Sequence, residues 1–268
     1  LINLVPIESN NFRWNVTFNG TYVKTKVLSL LTDEPGERIT VGAHVFNGEL
    51  RQVVGEEMGQ LAGFGYRRDD QGRIIFGANG LPLRTQDLIY FGSALPTWFG
   101  GFNNEFTYKK LSFSFLIDFK LGGKMISGTN FNAVRHGLHK MSLEGREGGV
   151  IGVGVNQAGE VNTVAAPVQT YWEVVRSQGL IEPIVYDAGY WKLRQITIGY
   201  DLGSIFPTNF FIKSARLSFV ANNVLMLKKW VDNIDPETFG YNSDNLVGLE
   251  SSGLPSTRGL GFNLNLKF

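Results

Sequence analysis

Arg258-Gly259-Leu260-Gly261-Phe262-Asn263-Leu264-Asn265-Leu266-Lys267-Phe268 alternates strictly in character. Side chains of a strand point to opposite faces with a period of two. Leu260, Phe262, Leu264, Leu266 and Phe268 therefore share one face, and Gly261, Asn263, Asn265 and Lys267 share the other. A soluble β-sandwich can carry the same alternation, but it seldom ends on a free carboxylate directly after the last apolar residue. A membrane β-barrel gives the pattern a direct cause. Apolar residues face lipid, polar residues face a wet lumen, and the terminal carboxylate rests at the periplasmic rim.

The alternation recurs upstream. Between Asn11 and Leu30, Phe12, Trp14, Val16, Phe18, Tyr22, Leu28 and Leu30 fall on one face, with Arg13, Asn15, Thr17 and Asn19 on the other. As one strand this far exceeds the ~5–6 residues usual in soluble sheets; Lys24 and Lys26 would then stand above the lipid or snorkel to its edge. The clearest hairpin is Thr97 to Leu121. Trp98, Phe102, Phe106 and Tyr108 descend one strand, Leu111, Phe113, Phe115, Ile117 and Phe119 ascend the next, and Lys109-Lys110 makes a tight turn. Asp118 and Lys120 alternate inward, which is costly in a dry core and ordinary in a hydrated lumen. Gly189–Leu202, Ala215–Leu227 and Arg258–Phe268 are three further strands. Short links near Lys109 and Gly203–Ser214 alternate with the long connections Gly122–Ala188 and Lys228–Thr257, as in a spanning barrel.

Composition agrees. The 268 residues hold 33 Gly, 20 Phe and 9 Tyr, yet mean hydropathy is only −0.05. Alternating strands do this, because their polar half offsets their apolar half. No apolar run approaches the ~18 residues of a spanning helix, so a barrel is the remaining way through a membrane. Lys plus Arg is 25 against 24 Asp plus Glu, which gives no field to attract nucleic acid. Cysteine is absent, which excludes disulfides, thiolate metal sites and thiol catalysis.

Leu31–Pro96 is expected to hold short strands at Met58–Arg68 and Arg73–Phe76 around the turn Asp69-Asp70-Gln71-Gly72. Asn130–Lys140 and Pro167–Gln178 have helical spacing. The fold class is therefore all-β: an antiparallel transmembrane barrel portion of about seven to nine strands with long extracellular loops. The opening at Leu1 reads as the end of a strand, so the chain is expected to be a fragment.

Little here points to chemistry. His136 and His139 are three apart, but no third ligand stands at a metal-site spacing, and no metal or cofactor is expected. Gly152-Val153-Gly154 lacks the third glycine of a dinucleotide loop and reads as loop flexibility. Asp232, Asp235 and Glu237 miss the spacing of a calcium loop and read as solvated carboxylates. No nucleophile elbow is present, so catalysis is not expected. Sugars stack on aromatic faces and hydrogen-bond to planar polar groups, which makes Tyr171, Trp172, Trp230, Tyr241 and Asn242 the candidate ligand contacts. Trp98 and Trp191 read as strand-end or girdle residues.

Several stretches resemble one family. Ala188-Gly189-Tyr190-Trp191-Lys192-Leu193-Arg194-Gln195-Ile196-Thr197-Ile198-Gly199-Tyr200-Asp201-Leu202 is similar to the Y-x-K-L-R-x-x-T-L-G-Y-x-L strand of SusC/RagA-type TonB-linked outer-membrane transporters. In the same order, Gly92-Ser93-Ala94-Leu95-Pro96 with Gly100–Lys109 resembles a hairpin of that family, and Gly148–Asn162 a loop. Ala221-Asn222-Asn223-Val224-Leu225 followed by Asp235-Pro236-Glu237 resembles its N-L … D-P-E step. The resemblance implies a barrel of about 22 strands around a plug, importing oligosaccharides or peptides with TonB-coupled energy. Residues 1–268 would be its C-terminal part, without the plug and with too few strands to close the cylinder. It also implies a SusD-like surface lipoprotein as lid, the TonB complex acting through the plug-bearing part, and outer-membrane lipid around the wall. The outer-membrane assembly machinery would read Leu260, Phe262, Leu264, Leu266 and Phe268 as its signal. The rivals are a passive porin-like barrel and a soluble all-β binding or adhesion module.

Overall fold

The computed structural model describes residues 1–32, 34–203, 211–237 and 246–268, with the backbone alone at 43–45. Seven strands form one sheet: β1 (Ile2–Glu8), β2 (Phe12–Tyr22), β3 (Trp98–Tyr108), β4 (Leu111–Leu121), β5 (Tyr190–Asp201), β6 (Ser214–Lys229) and β7 (Gly259–Lys267). Each pairs antiparallel with the next in chain order. Neither β1 nor β7 has a second partner, so the described wall is an open meander with two free edges.

Register shows why these residues form this wall. One row crosses all seven strands as Ile7, Trp14, Phe106, Phe113, Ile198, Phe219 and Phe262. The adjoining row on the opposite face reads Glu8, Arg13, Thr107, Ser112, Gly199, Ser218 and Asn263. The apolar face is lined with rings in contact: Trp14 on Phe106 at 5.6 Å and Phe119 on Trp191 at 4.7 Å between centroids. Such cross-strand pairs, together with the ladder, fix the register. Gly100 sits where β2 and β3 approach closely; a Cβ there would lie 2.2 Å from the Asn19 carbonyl oxygen.

The strand expected over Asn11–Leu30 stops at Tyr22. The Val23 amide still bonds to the Thr97 carbonyl, but Val27 then exchanges hydrogen bonds with Glu56 and Gly55, so the chain has left the wall. Lys24 and Lys26 accordingly do not lie on a wall strand.

At one end of the wall the links are short: 9–11, Lys109-Lys110 and 202–213, of which 204–210 lie outside the described residues. At the other end three long connections, 23–97, 122–189 and 230–258, fold into a cap. They contribute a four-stranded sheet (Arg38–Val45, Gly48–Val53, Gln60–Gly63, Ile89–Ser93) and a three-stranded one (Val185–Asp187, Lys124–Ser127, Leu249–Glu250). Two helices join them, α1 (Gly128–Arg135) and α2 (Val168–Ser177). Leu50 and Leu61 from the first connection, Ile126, Val134 and Ile184 from the second and Leu249 from the third share one buried core. Gly122–Ala188 and Lys228–Thr257, expected as long loops, form with 23–97 a packed unit instead, because each connection supplies part of a core that none could close alone.

Candidate functional site

The cap is tied to the wall by charge. Lys192-Leu193-Arg194 on β5 and Asp235-Pro236-Glu237 in the third connection meet on the polar face. Lys192 Nζ donates to Glu237 Oε2 at 2.5 Å, Ser256 Oγ at 2.8 Å and Asp235 Oδ2 at 3.2 Å. Arg194 reaches Glu237 through Nη2 at 2.5 Å and Nη1 at 3.0 Å, and Asp118 on β4 through Nε at 2.7 Å. Tyr190 Oη donates to Glu237 Oε1 at 2.6 Å. Arg194 is an extra residue at a bulge, since Leu193 pairs with Ile117 and Gln195 with the adjacent Leu116. A bulge re-aims a side chain, and here it leaves Arg194 beside Lys192 on the polar face while restoring the alternation from Gln195 onward.

Asp235 and Glu237 are thus not the solvated carboxylates expected from spacing alone. Only 12% of the Asp235 side chain and 18% of the Glu237 side chain are exposed, against 3% for Lys192. Burial pushes the Glu237 carboxyl up, but hydrogen bonds from Arg194, Lys192 and Tyr190 outweigh it and hold it at about 2. Burial likewise opposes ionisation of Asp235, and Ser256, the Glu237 amide and Lys192 overcome it, holding that carboxyl below its ordinary 3.8. A nearly buried lysine demands such partners; the signal in the sequence is that Lys192 and Arg194 alternate with Trp191 and Leu193 on one strand.

A second carboxylate binds the cap together. Glu250, buried, accepts from Ser127 Oγ at 2.8 Å, Thr129 Oγ1 at 2.7 Å and the Thr129 amide at 2.9 Å. Ser127 in turn caps α1 by accepting from the Asn130 amide at 3.1 Å. A negative charge at a helix start is favourable, so Glu250 anchors the third connection where α1 begins.

The candidate ligand residues are scattered. Tyr171 is buried against Phe76 and Ala166, and burial raises its phenol above the ordinary value. Trp172 meets Tyr171 edge-on at 5.1 Å and lines an open cavity beside α1. Trp230 is exposed, with the Lys228 ammonium 4.8 Å from its ring centre. Tyr241 and Asn242 lie outside the described residues. His136 is exposed and His139 buried, and among the described residues no cluster of three or more His, Asp or Glu could hold a metal. Gly152 and Gly154 are not flexible points. A Cβ on Gly152 would lie 2.2 Å from the Phe76 ring and one on Gly154 2.2 Å from the Ile74 carbonyl oxygen, so they permit close packing. Leu260, Phe262, Leu264 and Leu266 lie on the apolar face of the edge strand β7, with Phe262 79% exposed. Phe268 follows, stacked on Phe211 at 6.0 Å.

No helix among the described residues is long and apolar enough to cross a membrane, which says nothing about crossing by strands. The wall and its two-faced register are those of a portion of an antiparallel membrane-spanning β-barrel. No family model matches the chain. Along its whole length it is similar to two curated proteins of Formosa agariphila, TonB-dependent receptor P3 at 24% identity and TonB-dependent receptor P26 at 22%. The chain spans 28% of the length of each. In fold it is similar to the RagAB peptide transporter, with a TM-score of 0.66 at 15% identity over 99% of this chain and 28% of that one. The RagAB peptide importer in its open-open state gives 0.66 at 16% identity over 99% and 27%. The likeness to SusC/RagA-type TonB-linked transporters drawn from the motifs is borne out, as is the all-β fold class.

Proposed function

We propose that residues 1–268 are the C-terminal barrel portion of a TonB-dependent outer-membrane importer of large nutrients, oligosaccharides or peptides. They supply part of its wall and of its extracellular mouth. The observation that carries this reading is the unbroken apolar row from Ile7 to Phe262 backed by a polar row on the other face. One face thus suits hydrocarbon and the other suits water, as a spanning barrel requires. In this reading the short links lie in the periplasm, and the cap, with Trp172 and Trp230, faces the medium.

A SusD-like lipoprotein closes on the cap as a lid, and the TonB complex acts through a plug-bearing part of the same protein. The assembly machinery reads the β7 face that leads to Phe268. The test is replacement of residues 128–182 by a short Gly/Ser link in the full-length transporter. Insertion of the wall should persist while capture of the lid lipoprotein and growth on the imported nutrient both fall. Normal capture together with normal growth would remove the cap from the transport pathway.

A further inference from the structure

An open cleft of about 480 Å³ separates α1 from the third connection. Thr129, Asn132 and His136 line it from α1 and its C-terminal cap, and 233–235 with Ser252 and Pro255 form the facing wall. Hydrogen bonds hold the two walls together. Thr129 donates to Glu250 at 2.7 Å, and Asn130 donates to the Asp232 carbonyl at 3.0 Å while accepting from Asn233 Nδ2 at 2.9 Å. The cleft is therefore preformed, and its size is that of a small-molecule site. Its polar groups are accessible and have bonding capacity left over. Asn132, half-buried, and His136 and Ser252, both exposed, make no side-chain hydrogen bond among the described residues; exposed Asn233 uses only its Nδ2. Asn233 and Ser252 also hold left-handed backbone, at φ 66° and 54°. Serine seldom adopts that conformation, and strain of this kind collects at ligand clamps.

The chemistry of the walls selects the guest. Among the described residues no lysine or arginine lines the cleft, and its one carboxylate, Asp235, is engaged by Lys192 and Ser256. Amide, imidazole and hydroxyl groups both donate and accept, as sugar hydroxyls do. Ala133, Ile234 and Pro255 offer C–H surface between them. Peptides are commonly held along a strand edge or by their charged termini, and the lining provides for neither. We propose that this cleft binds a neutral oligosaccharide, and that the bound sugar locks the third connection to the wall. The lock follows from continuity. Asp235 lines the cleft and also receives Lys192 of β5, while Pro255 precedes Ser256, which donates to Asp235 and accepts from Lys192. A guest bridging α1 and 233–235 binds only while the third connection is in place. The proposal rests on the import reading above, for which it names the substrate class.

The experiment uses the full-length protein in detergent. The probes are maltotriose, mannotriose, galactotriose and xylotriose, with acetyl-trialanine amide as the uncharged peptide. Calorimetry measures binding, and hydrogen–deuterium exchange locates it. At least one trisaccharide should bind, and more tightly than the peptide. At about a hundred times its dissociation constant it should slow exchange over 128–136, 230–237 and 246–257 about a hundredfold, because it binds only the closed form. Exchange in β3 and β4 should not change. Asn132→Ala removes a side chain that holds nothing else in place and should weaken sugar binding about tenfold. Ser252→Gly removes the hydroxyl and relieves the left-handed backbone, so it should weaken binding several-fold without lowering the melting temperature. Failure of every trisaccharide to bind, peptide binding as tight as that of the best sugar, or sugar binding indifferent to both variants overturns the site. Binding that responds to both variants but leaves exchange over 230–237 unaltered overturns the lock. Cellular uptake of the same labelled sugars separates this site from the import reading: binding at the cleft without uptake leaves the site standing and removes the import role.

Discussion

Replacing Glu237 by Gln should release the third connection from the wall while leaving the wall intact. The carboxylate accepts from Tyr190, from Lys192 and twice from Arg194. Stranding the partner of a buried ion pair costs about 3–5 kcal/mol. That is an upper bound here, because Lys192 keeps Asp235 and Ser256 while Arg194 keeps Asp118 and Asn223. Holding the carboxyl at about 2 instead of its ordinary 4.5 corresponds to about 3 kcal/mol at neutral pH. The two figures agree on a loss of about 2–3 kcal/mol, or roughly a hundredfold in local opening. Lys192→Met should do more harm, since it leaves Asp118, Asp235 and Glu237 facing a single cation. Hydrogen–deuterium exchange of the full-length protein reads this directly. In Glu237→Gln, peptides covering 230–237 and 246–257 should exchange about a hundredfold faster, with β3 and β4 unchanged. Unaltered protection of those peptides, or equal loosening of β3 and β4, would refute the idea of a latch between connection and wall.

The same latch should depend on pH in one direction. Because the folded carboxyl of Glu237 is depressed to about 2 from 4.5, its contribution is complete above about pH 4.5 and is lost as pH falls toward 2; proteolysis of the connection should rise only in that window. Phe115→Arg on the apolar face should cost about 2–4 kcal/mol in a lipid refolding assay, and Ser114→Arg on the polar face much less. Equal costs would mean that the two faces have been exchanged. Deleting Phe268 should lower outer-membrane levels of the full-length protein on an immunoblot of membrane fractions, whereas unchanged levels would rule out the terminal strand as assembly signal. Gly154→Ala would bring a methyl to 2.2 Å from the Ile74 carbonyl oxygen, so it should lower the melting temperature of the cap by an overpacking cost of about 1–3 kcal/mol. A melt identical to wild type would show that the backbone can yield there.

The wall was legible because its cause is local. Period-two alternation is imposed residue by residue by two different surroundings, so Trp98–Leu121 could be read as a hairpin without knowing any distant contact. The same rule overran at Tyr22. Leu28 and Leu30 continue the pattern by spacing, but Val27 is already buried in the cap and hydrogen-bonded to Glu56. The cap itself was not legible, for a different reason. Its core joins Leu50, Ile126 and Leu249, which no sequence window holds together. Tyr171 shows the consequence: an aromatic in a long connection reads as a ligand platform until the partners that bury it, Phe76 and Ala166, are brought from elsewhere.

Asp235 and Glu237 mark a subtler limit. Their cationic partners lie more than forty residues away, yet half of the pairing was visible, since Lys192 and Arg194 fall on the polar side of a strand whose other side is apolar. Buried ion pairs contribute less stability than apolar packing of the same volume, so the cluster needs another physical reason. The polar face supplies it. An apolar clasp between connection and wall would expose greasy surface to a wet lumen whenever it opened, whereas Lys192, Arg194, Asp235 and Glu237 are well solvated when apart and strongly paired when together. The same charges make the clasp specific. The bulge at Arg194 sets a guanidinium beside the Lys192 ammonium, and among the described residues Glu237 is the carboxylate that receives hydrogen bonds from both.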